Sequence, residues 1–97
     1  MGSVERVTAS ASKDAPDWIC EVLSESSEAD DRGVKMPIYA REHVTHAWLL
    51  DPSARLLEIY RLDRGALRQL AMHRGNVVVR AEPFDAIELN LALLWGE

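Results

Sequence analysis

The chain has 97 residues, a formal net charge of −5, 47% hydrophobic and 28% charged residues, which is the make-up of one small globular domain with little stability to spare. The acidic balance excludes a general polyanion binder, so any nucleic-acid contact needs a local basic patch or a bridging divalent cation. A single cysteine, Cys20, excludes a disulfide framework; with no 18-residue apolar run and no signal-peptide pattern, the expectation is a soluble cytoplasmic protein without membrane association.

Residues 1–15 are rich in Ser, Ala and Thr and sustain no period, so they are expected to be poorly structured, with a short strand over 5–9 as the one element they could form. The domain is expected over 16–97. Pro16 holds the residue before it extended and opens a strand over 17–23. In that strand Asp17, Ile19, Glu21 and Leu23 share one face; Trp18, Cys20 and Val22 share the other. A carboxylate in so apolar a strand is the oddity. Glu is seldom buried unless paired, hydrogen-bonded or bound to a cation, which makes Glu21 the first candidate for chemistry. The competing reading is an edge strand with Glu21 in water. Cys20 reads as a small buried hydrophobe.

A polar, acidic loop over 24–31 follows. A helix is expected over 32–42, with Pro37 confined to its first turn, where no amide is yet needed. Val34 and Ile38 form its narrow apolar stripe; Lys35, Tyr39 and Glu42 lie on another side. Residues 46–51 form the next strand, with His46, Trp48 and Leu50 on one face, broken by Asp51-Pro52-Ser53. Strand, helix and strand at this spacing make a right-handed βαβ unit with parallel strands. Strand-like runs over 55–62, 66–73 and 77–81 are separated by Asp63-Arg64-Gly65 and Arg74-Gly75-Asn76 and predict an antiparallel meander. A short helix over 89–95 ends the chain. The fold class is therefore α/β (α+β): a βαβ unit, a meander and a short C-terminal helix.

Asp17 and Glu21 point the same way but lie roughly 13 Å apart along a strand. Ligands of one divalent cation sit within about 2.0–2.6 Å of it. The two cannot both bind one ion directly, so Asp17 shapes the strand entry or sits in an outer sphere. Lys35, near the start of the helix, can reach back toward Glu21 and orient a water or steady a phosphate oxygen. Its alternative partner is Asp31, four residues earlier. His43 and His46 have a zinc-like spacing, but nothing completes a ligand set. Trp18, Trp48 and Trp95 read as packing residues. Arg61, Arg64, Arg68, Arg74 and Arg80 alternate with Glu58, Asp63 and Glu82, as on a solvated face.

Three stretches, Pro16-Asp17-Trp18-Ile19-Cys20-Glu21-Val22-Leu23-Ser24, Asp31-Arg32-Gly33-Val34-Lys35-Met36-Pro37-Ile38-Tyr39-Ala40-Arg41 and His46-Ala47-Trp48-Leu49-Leu50-Asp51-Pro52, resemble the Uma-two family of restriction-endonuclease-like proteins, within the PD-(D/E)XK nuclease superfamily. The resemblance runs from about Pro16 to the C-terminus. It implies a restriction-endonuclease-like core and metal-dependent cleavage of DNA, using Mg²⁺ or Mn²⁺. Carried over, Glu21 and Lys35 are the catalytic pair. Glu21 and Asp17 are the metal-site residues, Glu21 as the motif glutamate and Asp17, which matches the family's Pro-Asp at this strand, in the outer sphere. Leu23 stands where a Glu-x-Lys pattern has its lysine, and Lys35 matches the position that supplies it instead. Ser24 and Tyr39 match recurrent positions. An earlier strand with its own Pro-Asp, which supplies the ion's other carboxylate, has no counterpart in residues 1–15. His43 replaces the usual glycine at the helix exit. The chain thus reads as the C-terminal portion of such a nuclease. The alternative is a non-catalytic remnant that binds or dimerises, through itself or with a missing N-terminal half.

Overall fold

The computed structural model describes residues 6–9, 17–24, 29 and 31–95. A five-stranded sheet has the order β1-β2-β3-β4-β5. Strand β1 (Arg6–Ala9) runs antiparallel to β2 (Trp18–Val22), and β2 runs parallel to β3 (His46–Asp51). Strands β4 (Leu56–Asp63) and β5 (Ala66–Arg74) complete an antiparallel meander on β3. The βαβ unit and the first hairpin of the meander are as the sequence predicts. Within residues 1–15 the strand at Arg6–Ala9 forms; the rest of that segment lies outside the described residues, as does most of the acidic loop over 24–31.

The crossover between β2 and β3 starts with a π-helical turn, Asp31–Lys35, and continues as the α-helix α1 (Met36–Arg41). Pro37 lies in the first turn of α1, as expected. Lacking an amide, it cannot donate to the carbonyl of Gly33, so a regular α-helix cannot run unbroken through residues 33–37. The buried side of α1 is Met36, Tyr39 and Ala40, whereas Val34 and Ile38 are exposed at 55% and 37%. The apolar stripe read from the sequence is therefore the outer face.

Helix α1 ends in a Schellman turn. Val44 N–H donates to the carbonyl of Tyr39 at 3.0 Å, and His43 N–H to that of Ala40 at 3.1 Å. His43 takes the left-handed position, with φ of 63°. Tyr39 and Val44, which the motif brings together, both belong to the core on the helix face.

The centre of the sheet, β2, β3 and the first half of β4, is buried on both faces. On the helix face Ile19, Leu23, Met36, Tyr39, Val44, Ala47 and Leu49 pack together. On the other face Cys20, Trp48, Leu50, Leu57, Ile59, Ala81 and Leu91 form a second cluster. Its cover is the C-terminal segment, where one expectation is corrected. Strand β6 (Val78–Val79) does not extend the meander but pairs antiparallel with β7 (Leu89–Asn90) in a separate ribbon. The expected short helix forms as a 3₁₀ helix over Leu91–Trp95; only its first two expected residues, Leu89–Asn90, belong to strand β7 instead. Burial decides this arrangement: leaving the sheet lets Ala81 and Leu91 cover Trp48 and Leu57, which a sixth coplanar strand would leave wet. The indole of Trp95 donates to the carbonyl of Gly75 at 2.9 Å and pins the return. No helix among the described residues is long and apolar enough to cross a membrane.

Candidate active site

Strand β2 is interior, flanked by β1 and β3, so Glu21 is not on an edge. Its side chain is 1% exposed and lies on the face that α1 covers. The alternation that puts Ile19 and Leu23 into the helix-side core puts Glu21 there too. Two helix-borne groups meet it. The Tyr39 hydroxyl donates to Glu21 Oε2. Lys35 Nζ lies 3.7 Å from the same oxygen, and its side chain is 37% exposed. Lys35 and Tyr39 stand four apart along the crossover, so both reach one point on the sheet. The other oxygen, Glu21 Oε1, is buried without a hydrogen-bond partner among the described residues. A buried carboxylate oxygen left unsatisfied is costly, so it is met by strain, a catalytic role, a bound water or an ion.

Asp17 lies at the entry to β2, exposed. Its carbonyl accepts from the His46 amide at 3.1 Å and the Thr45 hydroxyl at 2.7 Å, which ties the start of β2 to the start of β3. Four residues along the strand from Glu21, it is too distant to share an ion directly. Ser24 is exposed just past β2.

A second buried carboxylate lies on the same face. Glu58 was read from the sequence as part of a solvated, charge-alternating face; it is 6% exposed. Pairing of Glu21 with Leu49, and of Leu49 with Glu58, sets the two carboxylates in one row across the sheet. Two strand spacings separate them, roughly 10 Å. Arg32, from the π turn, forks onto Glu58: Nη1 donates to Oε1 at 2.9 Å and Nη2 to Oε2. The Tyr60 hydroxyl adds a bond to Oε1 at 2.6 Å. The Arg32 bonds hold the Glu58 carboxyl below the ordinary carboxylate value, against the opposing effect of burial. Burial first, and then Glu58, push the Tyr60 phenol up. The signal that could have found Glu58 is the one that found Glu21, an acid inside the apolar run Leu56-Leu57-Glu58-Ile59-Tyr60.

The remaining candidates sort plainly. Burial, with a smaller contribution from Glu21, pushes the Cys20 thiol up to about 12, so it is no nucleophile. His43 caps the helix, and His46 Nε2 lies 3.0 Å from Glu82 Oε1. Trp18, Trp48 and Phe84 pack edge to face, with centroids 5.1–5.8 Å apart. Arg61 pairs with Glu82 and Arg68 with Asp63 at the surface. A cleft of about 400 Å³ lined by Ile59, His73, Arg80, Glu82 and Asp85 opens on the face opposite Glu21.

A divalent cation can be weighed against these residues. Mg²⁺ is often held by only one or two carboxylates, with water and substrate phosphates completing its shell. Glu21 Oε1 fits as one such ligand. No group of three or more His, Cys, Asp or Glu side chains that could hold a metal occurs among the described residues.

The domain is a mixed α/β sheet with a buried carboxylate on an interior strand, met by a lysine and a tyrosine from the crossover. Comparison with solved structures agrees on the fold. The crystal structure of a "putative nuclease belonging to DUF820" from Anabaena variabilis matches with a TM-score of 0.63 at 20% identity, over 84% of this chain and 45% of that one. The chain thus spans under half the length of that protein. The family model Uma2, described as "Putative restriction endonuclease", matches residues 2–93, and the chain belongs to that family. The match begins well before Pro16, so it takes in β1 as well as the stretches that carry the resemblance. No curated protein matches the chain significantly.

Proposed function

We propose that Glu21, Lys35 and Tyr39 are the protein part of a divalent-metal-dependent endonuclease site acting on DNA. The observation that carries this reading is the divided state of the Glu21 carboxylate. One oxygen is engaged by Lys35 and Tyr39, and the other is buried with no hydrogen-bond partner among the described residues. Glu21 would hold Mg²⁺ or Mn²⁺ through Oε1. When bound, the ion supplies charge stabilisation on the phosphate and a water of lowered pKa. The ion's remaining oxygens come from water, from substrate phosphate, or from a carboxylate outside the described residues, and Asp17 acts at most at a distance. Tyr39 keeps Oε2 occupied and fixes the carboxylate rotamer. Lys35, half-exposed, presents a point charge where a phosphate oxygen or an attacking water would sit. Incubation of the protein with supercoiled plasmid and Mg²⁺ or Mn²⁺ tests this. Nicking that is lost in Glu21→Gln and in Lys35→Met is expected. No cutting with either ion at high protein concentration overturns it.

One observation favours a second reading, a non-catalytic binding or dimerising module. Among the described residues Glu21 belongs to no group of three or more His, Cys, Asp or Glu side chains that could hold a metal. Under that reading light scattering shows oligomers and the melting temperature does not rise with added Mg²⁺. A metal-linked rise that vanishes in Glu21→Gln excludes it.

A further inference from the structure

Two carboxylate clusters on one sheet face are each served by a cation from the same short turn. Arg32 and Lys35 stand three apart in the π-helical segment Asp31–Lys35. Arg32 goes to Glu58 and Lys35 to Glu21, with Leu49 between the two acids in the cross-strand row. Each acid also takes a tyrosine hydroxyl, Tyr60 on Glu58 and Tyr39 on Glu21.

The two clusters differ in one respect. Both oxygens of Glu58 are bonded, in a bidentate fork, the stronger and more directional form of ion pair. Glu21 keeps one oxygen without a hydrogen-bond partner among the described residues, and its lysine contact is a single one of 3.7 Å. The Glu58 cluster is therefore built to hold and the Glu21 cluster to react. A π turn is a poorly bonded backbone form that persists where its surroundings fix it. Here it leads into a helix whose Pro37 removes one amide from the ladder. The fork from Arg32 to Glu58, 26 residues away, ties this turn to β4.

We propose that Arg32, anchored on Glu58 and Tyr60, is a positioning residue that aims Lys35 at Glu21. Arg32 does not touch the reacting groups. It sets the register of the turn from which the lysine projects. The proposal rests on the reading of Glu21 and Lys35 as the reactive pair, but its first test does not depend on cleavage.

The chain has two lysines, Lys13 and Lys35. Competitive labelling with trace acetic anhydride, read by peptide mass spectrometry, gives the acylation rate of Lys35 with Lys13 as internal standard. Lys35, paired with a buried carboxylate, is slow in the wild type. In Arg32→Gln it speeds up several-fold relative to Lys13, and in Arg32→Lys, which keeps the charge but not the fork, by an intermediate amount. Where the wild type cleaves DNA, Arg32→Gln lowers kcat by roughly ten- to hundredfold with KM little changed, as a small misplacement of a reacting group does. Arg32→Gln leaves Glu58 buried and unpaired and can fail to fold. The double variant Arg32→Gln/Glu58→Gln removes both charges and keeps the fold testable. A folded double variant with wild-type Lys35 labelling overturns the proposal, because it shows the pair to be structural only. A wild type that cuts no DNA but shows the labelling change sinks the nuclease reading and leaves the positioning role standing.

Discussion

Glu21 and Glu58 show that an acid on the covered face of a sheet can be compensated in two ways. At Glu58 three donor contacts satisfy both oxygens. At Glu21 only one oxygen is satisfied, and Tyr39 is its hydroxyl donor. Tyr39→Phe would leave that oxygen, among the described residues, with the 3.7 Å lysine contact. It is expected to cost about 1–3 kcal/mol in urea unfolding, the range for a buried polar atom losing its partner. Glu58 gives a prediction in pH. Its folded-state pKa is lowered from 4.5, with the Arg32 bond the largest cause. Its contribution to stability is therefore complete above about 4.5 and is lost as pH falls from there through the lower folded value. Glu82 is also lowered, by His46 first, but it is a surface group that solvent screens. Melting temperature should fall on acidification below about pH 4.5, and less steeply in Glu58→Gln. An unchanged acid limb in that variant removes Arg32–Glu58 as its source. Glu21 was legible in the sequence because a lone acid breaks an apolar alternation. Glu58 breaks one in the same way but sits among arginines, and nothing local shows that its partner lies 26 residues upstream.

At the scale of elements, local chemistry was legible and partner choice was not. Pro37, the Asp63-Arg64-Gly65 turn with φ of 52° at Arg64 and 82° at Gly65, and the strand pattern of residues 17–23 each act within a few residues, and each is where the sequence puts it. The π turn has no such signature. Nor does the period alone say which side of α1 meets the sheet: Met36, Tyr39 and Ala40 are buried, and the stripe of Val34 and Ile38 faces water. Strand β6 carries ordinary strand residues, and its partner is set by what the far face of the sheet needs covered, a property of the whole core. The exit of α1 offers a direct test. His43 holds φ of 63° in the Schellman position, where a side chain costs about 1–2 kcal/mol relative to glycine. His43→Gly is expected to raise stability by about 1 kcal/mol, after glycine's greater unfolded-state entropy is subtracted. Because Tyr39 supplies the carbonyl that the turn caps, this variant should also leave the Glu21 cluster intact. A loss of stability would mean that the exposed imidazole makes a compensating interaction.

For the molecule as a whole, the sheet divides two cores with different work. The helix-side core carries Glu21, Glu58 and their partners; the other is closed by Ala81, β7 and Leu91 and holds no part of the candidate site. A substitution in the second core should therefore lower stability without altering the chemistry of the molecules that remain folded. Leu91 is the sharpest probe, since it is fully buried and opens the 3₁₀ helix that helps close this core. Leu91→Ala removes its contacts with the Trp48 side of the sheet and is expected to cost about 2–5 kcal/mol, depending on how far the cap collapses. At a temperature where the variant is still folded, its Lys35 acylation rate and its cleavage per folded molecule should equal those of the wild type. Sites with no shared partner add independently, and the two faces meet only through the backbone of the strands. If Leu91→Ala instead releases Lys35, the two faces are coupled. The cap formed by the last residues of the chain would then have to be counted among the supports of the Glu21 cluster, on the opposite side of the sheet from it.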